Sequence, residues 1–237
     1  DKIYPISKNG QEYIYGKYSY NIINKIELKY LGTPDYTSYN IRNMYLLEET
    51  NKNRFHLVSC SSIIPIKRLE FIIDVLKNIN SFEITWYHLG DGESKEGILE
   101  YAEKKLGINV KTIFLGQLDH KQLVNFYKEN RVDLFINTSI AEGLPVSIME
   151  AASFGIPIIA PDIGGISEIV SSKNGFLMTK NAEPKEYSNK IVDFFHLDFK
   201  QKLYLANESR KIWEEKFSAQ NCYTNFYESI RGIHKNV

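Results

Sequence analysis

Residues 132–161, VDLFINTSIAEGLPVSIMEAASFGIPIIAP, hold an apolar run ending at Thr138, a glycine-containing turn, a helical stretch opening near Pro145 and a second apolar run. Strand, helix and strand in that order make a βαβ unit with parallel strands. The alternation extends upstream through FHLVSC (55–60), KRLEFIIDVLKNI (67–79), FEITWYHLG (82–90), SKEGILEYAEKKLG (94–107), TIFLG (112–116) and HKQLVNFYKEN (120–130). Downstream it continues through ISEIV (166–170) and GFLM (175–178). The runs around Leu57, Phe135 and Ile158 are nearly continuous in apolar residues, as strands covered by helices on both faces require. The predicted fold is therefore α/β, a Rossmann-like doubly wound parallel sheet of about six strands. Open sheets of this kind bind ligands beyond the carboxyl ends of their strands, where strand order reverses. That rule directs attention to residues 61–67, 90–94, 116–119, 138–145 and 161–165.

The flanks differ from this centre. After Met178 the chain is helical to its end, with Leu203, Leu205, Ile212, Trp213 and Phe217 at helical spacing. Residues 1–54 offer one helix (11–20), one strand (25–31), a GTPDY turn and a polar linker, too little for a core of their own. The 29 basic and 29 acidic residues balance, so no overall positive field draws the chain to nucleic acid. Two cysteines, Cys60 and Cys222, are too few for a disulfide scaffold and suit a reducing compartment. The opening residues have no signal-peptide core, and no stretch approaches the roughly 18 apolar residues of a membrane span.

Glu142 and Glu150 stand eight positions apart across the start of the helix that opens near Pro145. Backbone N–H groups near Val146 and Ser147 then point above the sheet and make an anion site. Taken singly, Glu142 reads as a solvated loop carboxylate and Glu150 as an ordinary second-turn residue. The small-residue surface AASFG after Glu150 argues instead that this carboxylate lies at the buried end of a tightly packed helix, where a charge needs partners. Lys67 and Arg68 open a helix, a position at which cations oppose the helix dipole, so they read either as a solvated helix start or as an anion site. In LGDGES the next glycine after Gly90 and Gly92 is Gly97, so the dinucleotide pattern G-x-G-x-x-G fails. The five histidines are scattered, with no paired spacing or cysteine cluster to hold a metal; His88, ending a strand, reads as packing.

EGLPVSIMEAASFGIPIIAPDIGGISEIV (142–170) resembles the Glu-x7-Glu segment of family 4 of the retaining glycosyltransferases, also called glycosyltransferase group 1. The resemblance covers residues 55–237: SCSSIIPIKRLEFII is similar to the family's first phosphate-binding turn and helix, HLGDGES to its second strand and turn, and FLGQLDHKQLVNFY to its third. KIELKYLGTPDYT resembles the connection between the family's two Rossmann-like domains, and YPISKNGQEYIYGKY the last strand and helix of the first. The resemblance implies the C-terminal half of a GT-B fold, with residues 1–54 as remnant and linker of an acceptor domain and 55–237 as the donor-binding domain with terminal helices.

By the same resemblance Glu150 holds the nucleotide ribose, Glu142 faces the donor sugar and its phosphate, and Gly143, Leu144 and Pro145 form the loop against the sugar phosphate. Lys67 and the N–H groups of Val146 and Ser147 stabilise the leaving diphosphate, while Gly90 and Leu118 lie around the base. The chain departs at Ser62, where the family often carries arginine; Arg68 is the candidate for the second charge. The implied reaction is metal-independent, cofactor-free transfer from a UDP-sugar or GDP-sugar, with retention, to a glycan or lipid-linked acceptor held by the N-terminal half. The expected setting is bacterial polysaccharide assembly in the cytoplasm, at the inner face of the membrane. Residues 1–237 by themselves are expected to bind donor only. The alternatives are a non-catalytic sugar-nucleotide-binding module and a GT-B epimerase.

Overall fold

A computed structural model describes residues 2–18, 23–36 and 53–234. The apolar runs become six strands: β1 (Arg54–Cys60), β2 (Glu83–Leu89), β3 (Val110–Phe114), β4 (Leu134–Ile136), β5 (Ile158–Pro161) and β6 (Gly175–Met178). All neighbours pair in parallel, in the order β3-β2-β1-β4-β5-β6. Strand order reverses between β1 and β4, so the loops leaving their carboxyl ends diverge and open a crevice.

Alternate residues feed two cores. Leu57, Leu134, Ile136 and Ile159 point to one face, packed under α2 (Leu69–Leu76), α3 (Lys95–Lys105) and α7 (Pro184–His196). Val58, Phe135 and Ile158 point to the other, under α4 (His120–Glu129), α5 (Val146–Ser153), α6 (Ile166–Ile169) and α8 (Phe199–Lys216). The strands are thus apolar on both faces, which explains the unbroken runs. In α4 the Asp119 carboxylate accepts from the Gln122 N–H, and the Gln122 side chain accepts from the Asp119 N–H, a reciprocal cap that fixes the first turn.

The amino-terminal helix α1 spans Lys8–Lys17, three residues ahead of the expected start. The cause is Ser7, whose Oγ accepts from the Gly10 N–H and caps the helix. Glu168 of α6 supplies the negative charge that a helix start favours: its carboxylate accepts from the N–H groups of Lys8 (2.8 Å) and Asn9 (3.4 Å) and from the Tyr30 hydroxyl (2.7 Å). The strand expected over residues 25–31 does not join the sheet. It makes a short parallel ladder with residues 3–5, in which Lys29 donates to Pro5 O, and Pro5 has no N–H to return. Residues 37–52 of the expected linker, and 19–20 of the expected helix, lie outside the described residues.

The stretch from Thr33 to Tyr36 is strapped to the carboxyl-terminal helices α8 and α9 (Ala219–His234). Thr33 donates its N–H to Phe217 O (2.9 Å) and accepts from Ala219 N–H (2.9 Å), while its Oγ1 accepts from Trp213 Nε1 (2.7 Å). Asp35 pairs with Arg210 at 2.6 Å. Trp213 is fully buried. Replacing it with alanine empties an indole-sized volume and orphans the Thr33 hydroxyl, so Trp213→Ala should cost about 3–5 kcal/mol, read as a fall in the urea unfolding midpoint at unchanged slope.

Candidate functional site

The crevice at the β1/β4 reversal is built by hydrogen bonds between two loops. After β1 the chain passes through Ser61 and Ser62 to a 3-10 turn, Pro65–Lys67, and then Arg68, which adopts the left-handed conformation (φ 53°). After β4 the polar stretch Asn137, Thr138 and Ser139 follows. The Thr138 hydroxyl is within bonding distance of both the Lys67 and Arg68 carbonyls (3.0 and 3.1 Å), and Ile140 N–H donates to Ile66 O (3.0 Å). These bonds hold Lys67 opposite the 142–145 loop.

Lys67 Nζ meets Glu142 Oε1 at 2.7 Å, and the Glu142 side chain is only 10% exposed. The same oxygen accepts from Ser139 Oγ (2.6 Å) and lies 3.3 Å from Asn137 Nδ2. Glu142 is therefore an oriented carboxylate whose Oε2 has no partner among the described residues. Its loop is pinned from below: Gly165 N–H donates to Gly143 O at 2.7 Å, and Gly164 (φ +54°) presses so close that a Cβ there would lie 1.9 Å from Glu142 O. Leu144 anchors the loop in the second core. Pro145, expected inside the first turn, is instead the N-cap residue with extended backbone (ψ 114°), so α5 starts at Val146 and has no side-chain cap. Its first-turn N–H groups, those of Val146 and Ser147 among them, are the orphan donors of a helix start.

Glu150 lies one turn into α5, with a side chain 12% exposed. No described side chain hydrogen-bonds its carboxylate; His120 Nδ1 lies 3.6 Å from Oε1, beyond hydrogen-bond reach. Burial without a partner pushes its pKa up to about 7. Burial, helped by Glu150, also lifts the Cys60 thiol to about 12. The two glutamates read as a pair in the sequence thus occupy opposite situations, one heavily bonded and one bare.

Gly90 and Leu118, expected around the base, line a cavity of about 200 Å3 together with Ser61, Gln117 and Ser62, the last of which the resemblance set at the phosphate. Gly90 (φ +142°) is required there, because a Cβ would lie 1.9 Å from Ser61 O. Arg68 does not join Lys67: its guanidinium lies 4.1 Å over the Phe71 ring, because the left-handed turn at this residue directs it toward α2. His88 packs, as expected. It is buried, bonded to Ser59 Oγ (2.9 Å) and Ser61 O (3.1 Å), and burial lowers its pKa to about 4. Among the described residues no three His, Cys, Asp or Glu side chains are grouped to hold a metal ion. Sequence reading missed Asn137 and Ser139, which a polar tail on an apolar strand signals, and Gly164, signalled by the double glycine in APDIGG. It also missed His120 and Tyr36, whose ring centroids lie 4.6 Å apart beside Glu150 and which carry no local signal.

A doubly wound sheet with a glycine-bounded, charged crevice at its reversal point defines the class: a Rossmann-like α/β domain with its ligand site at the strand carboxyl ends. The model of the family described as glycosyl transferases group 1 matches residues 48–212, and the chain belongs to that family. The chain is 26% identical over 157 residues to the UDP-N-acetylglucosamine--peptide N-acetylglucosaminyltransferase GtfA subunit of Streptococcus agalactiae, covering 64% of this chain and 30% of that protein. It is 28% identical over 165 residues to the O-antigen biosynthesis glycosyltransferase WbnH of Escherichia coli, covering 69% and 43%. The chain thus spans less than half the length of either relative. A glycosyltransferase from Rickettsia africae superposes with a TM-score of 0.81 at 19% identity, covering all of this chain and 64% of the other. Anabaena HepE, crystallised with UDP-glucose, superposes at 0.78 and 22% identity, covering 98% and 64%. The expected fold, the Rossmann-like C-terminal half of a GT-B enzyme, is the one observed.

The raised pKa of Glu150 has a measurable cost. A carboxyl that ionises near 4.5 in the unfolded chain and near 7 in the folded one favours folding below about pH 4.5, and that contribution is lost as pH rises through 7. Glu150→Gln should therefore match the ligand-free parent in stability at about pH 4 and exceed it at pH 8 by up to about 3 kcal/mol, seen as a higher melting temperature.

Proposed function

We propose that this domain binds the nucleoside diphosphate of a sugar donor, and that the whole enzyme transfers the sugar with retention and without a metal to a hydroxyl of a glycan or lipid-linked acceptor. The observation that carries this reading is the bare, buried Glu150 beside the oriented Lys67–Glu142 pair at the strand-order reversal. A vicinal diol supplies the donors that Glu150 lacks, which suits a ribose. Lys67 and the orphan N–H groups of Val146 and Ser147 suit a diphosphate, and stabilise the charge that grows on it as the glycosidic bond breaks. Glu142, with Oε1 engaged and Oε2 open, suits a sugar hydroxyl and acts by orienting the sugar against Gly143, Leu144 and Pro145. The two glutamates are not an acid and nucleophile of the glycosidase kind, because one is assigned to the ribose.

The base falls to the cavity between Ser62, Gly90 and Leu118. UDP is the first nucleotide to test, since HepE was crystallised with UDP-glucose; GDP is the competitor. Residues 1–54 serve as remnant and linker of an acceptor half, and WbnH, an O-antigen enzyme, points to bacterial surface-polysaccharide assembly, in the cytoplasm at the inner membrane face.

Residues 1–237 should bind UDP or GDP in calorimetry and keep that affinity in excess chelator, yet transfer no sugar, because no acceptor is held at the anomeric carbon. Affinity lost with the metal, or acceptor glycosylation by these residues alone, contradicts the assignment. Glu150→Ala should weaken nucleotide binding about ten- to a hundredfold, the worth of charge-assisted bonds to the ribose. Glu142→Ala should lower turnover of the full-length enzyme more than it lowers affinity for the bare nucleotide. The reverse pattern would show the two roles exchanged.

A further inference from the structure

Glu150 is the carboxylate assigned above to the ribose, and what surrounds it bears on how it is aimed. Cys60 from β1, Tyr127 from α4 and Tyr36 from the strap lie close enough for the charge of Glu150 to help raise their pKa, and His120, the first residue of α4, adjoins it. Cys60 is half-buried and Tyr127 buried, and loss of water raises both above their ordinary range, so they stay neutral. His120, 52% exposed, sets its Nδ1 3.6 Å from Glu150 Oε1.

The placement of His120 is fixed twice. From below, the Asp119–Gln122 capping box locks the turn that carries it. From the side, the Tyr36 ring lies against the imidazole with centroids 4.6 Å apart. Tyr36 is itself held, because its neighbour Asp35 takes two hydrogen bonds from Arg210 (2.6 and 3.1 Å), and Arg210 also donates to Ser153 O on the last turn of α5. The helix that bears Glu150 is thereby tied to the ring that braces its histidine.

We propose that His120 and Tyr36 are positioning residues for the nucleoside: His120 steadies the Glu150 carboxylate from its Oε1 side, leaving Oε2 open to the ribose diol, and Tyr36 keeps the imidazole in place. This rests on the assignment of Glu150 to the ribose. His120 Nδ1 stands 3.6 Å from Oε1, a gap that a small closing movement on ligand binding tightens to a hydrogen bond, which leaves Oε2 to the diol. Tyr36 contributes the ring-on-ring contact that keeps the imidazole in place.

The test is calorimetry of residues 1–237 with UDP, GDP and ADP, each against its 2′-deoxy counterpart, using the tightest pair. The parent should prefer the ribonucleotide. His120→Ala should weaken the ribonucleotide about five- to tenfold and the deoxynucleotide about twofold or less, shrinking the preference as expected of a residue coupled to Glu150. His120→Gln, which restores a donor at that position, should recover part of the loss, and Tyr36→Ala should reproduce it more weakly. Equal weakening of both nucleotides, or no change with His120→Ala, overturns the proposal while Glu150→Ala still costs affinity. If no nucleotide binds, or Glu150→Ala costs nothing, the ribose assignment fails and this proposal falls with it.

Discussion

The single hydrogen bond that the Thr138 hydroxyl donates, shared between the carbonyls of Lys67 and Arg68, holds the crevice together. The loops after β1 and β4 leave neighbouring strands in diverging directions, so the sheet itself gives them no reason to meet. One threonine side chain, with the backbone bond from Ile140 to Ile66, closes the distance between them. The meeting of Lys67 with Glu142 follows from that closure, as does the route of the 142–145 loop over Gly164 and Gly165. The bonds are local and satisfied, while the groups they orient are left with open valences: Glu142 Oε2 and the first N–H groups of α5.

The two glutamates show how environment separates chemically equal side chains. On Glu142 Oε1 a lysine and a serine converge, with Asn137 Nδ2 close by, and burial is offset by bonds. Glu150 is about as buried and has only a histidine beyond hydrogen-bond reach, so burial acts on it almost unopposed. A carboxylate left in this state destabilises the empty fold and favours any ligand that brings hydroxyl donors. Stability and binding are therefore opposed at this residue.

The sheet and its helices were legible from residues 55–237 because the central strands β1, β4 and β5 are apolar on both faces and the helices between strands keep their own periodicity, so the two signals do not blur. The Glu142–Glu150 spacing was legible too, through a helix start; the meeting of Ser62 with Gly90 and Leu118 was not, because resemblance set Ser62 at the phosphate and the other two around the base. Direction was not legible. That Arg68 swings over Phe71 depends on one left-handed residue, and that His120 stands beside Glu150 depends on packing between α4 and α5, segments separated by a strand. The ladder of residues 3–5 with 25–29 stays short because Pro5 has one hydrogen-bonding group fewer, while α1 begins three residues ahead of its expected start because Ser7 caps it.

Gly164 sets limits on how this crevice varies among related sequences. A side chain there has no room against the Glu142 carbonyl, and Gly90 is equally closed by Ser61 O. Neither position is free to drift, so the floor of the crevice is inherited as fixed backbone. Diversity has to accumulate on its rim, where Ser62 and Gln117 are exposed and Leu118 and His120 are side chains, not backbone. A lineage altering what this crevice accepts would do so by exchanging those few side chains on an unchanging frame, and its history would be read there rather than in the glycines.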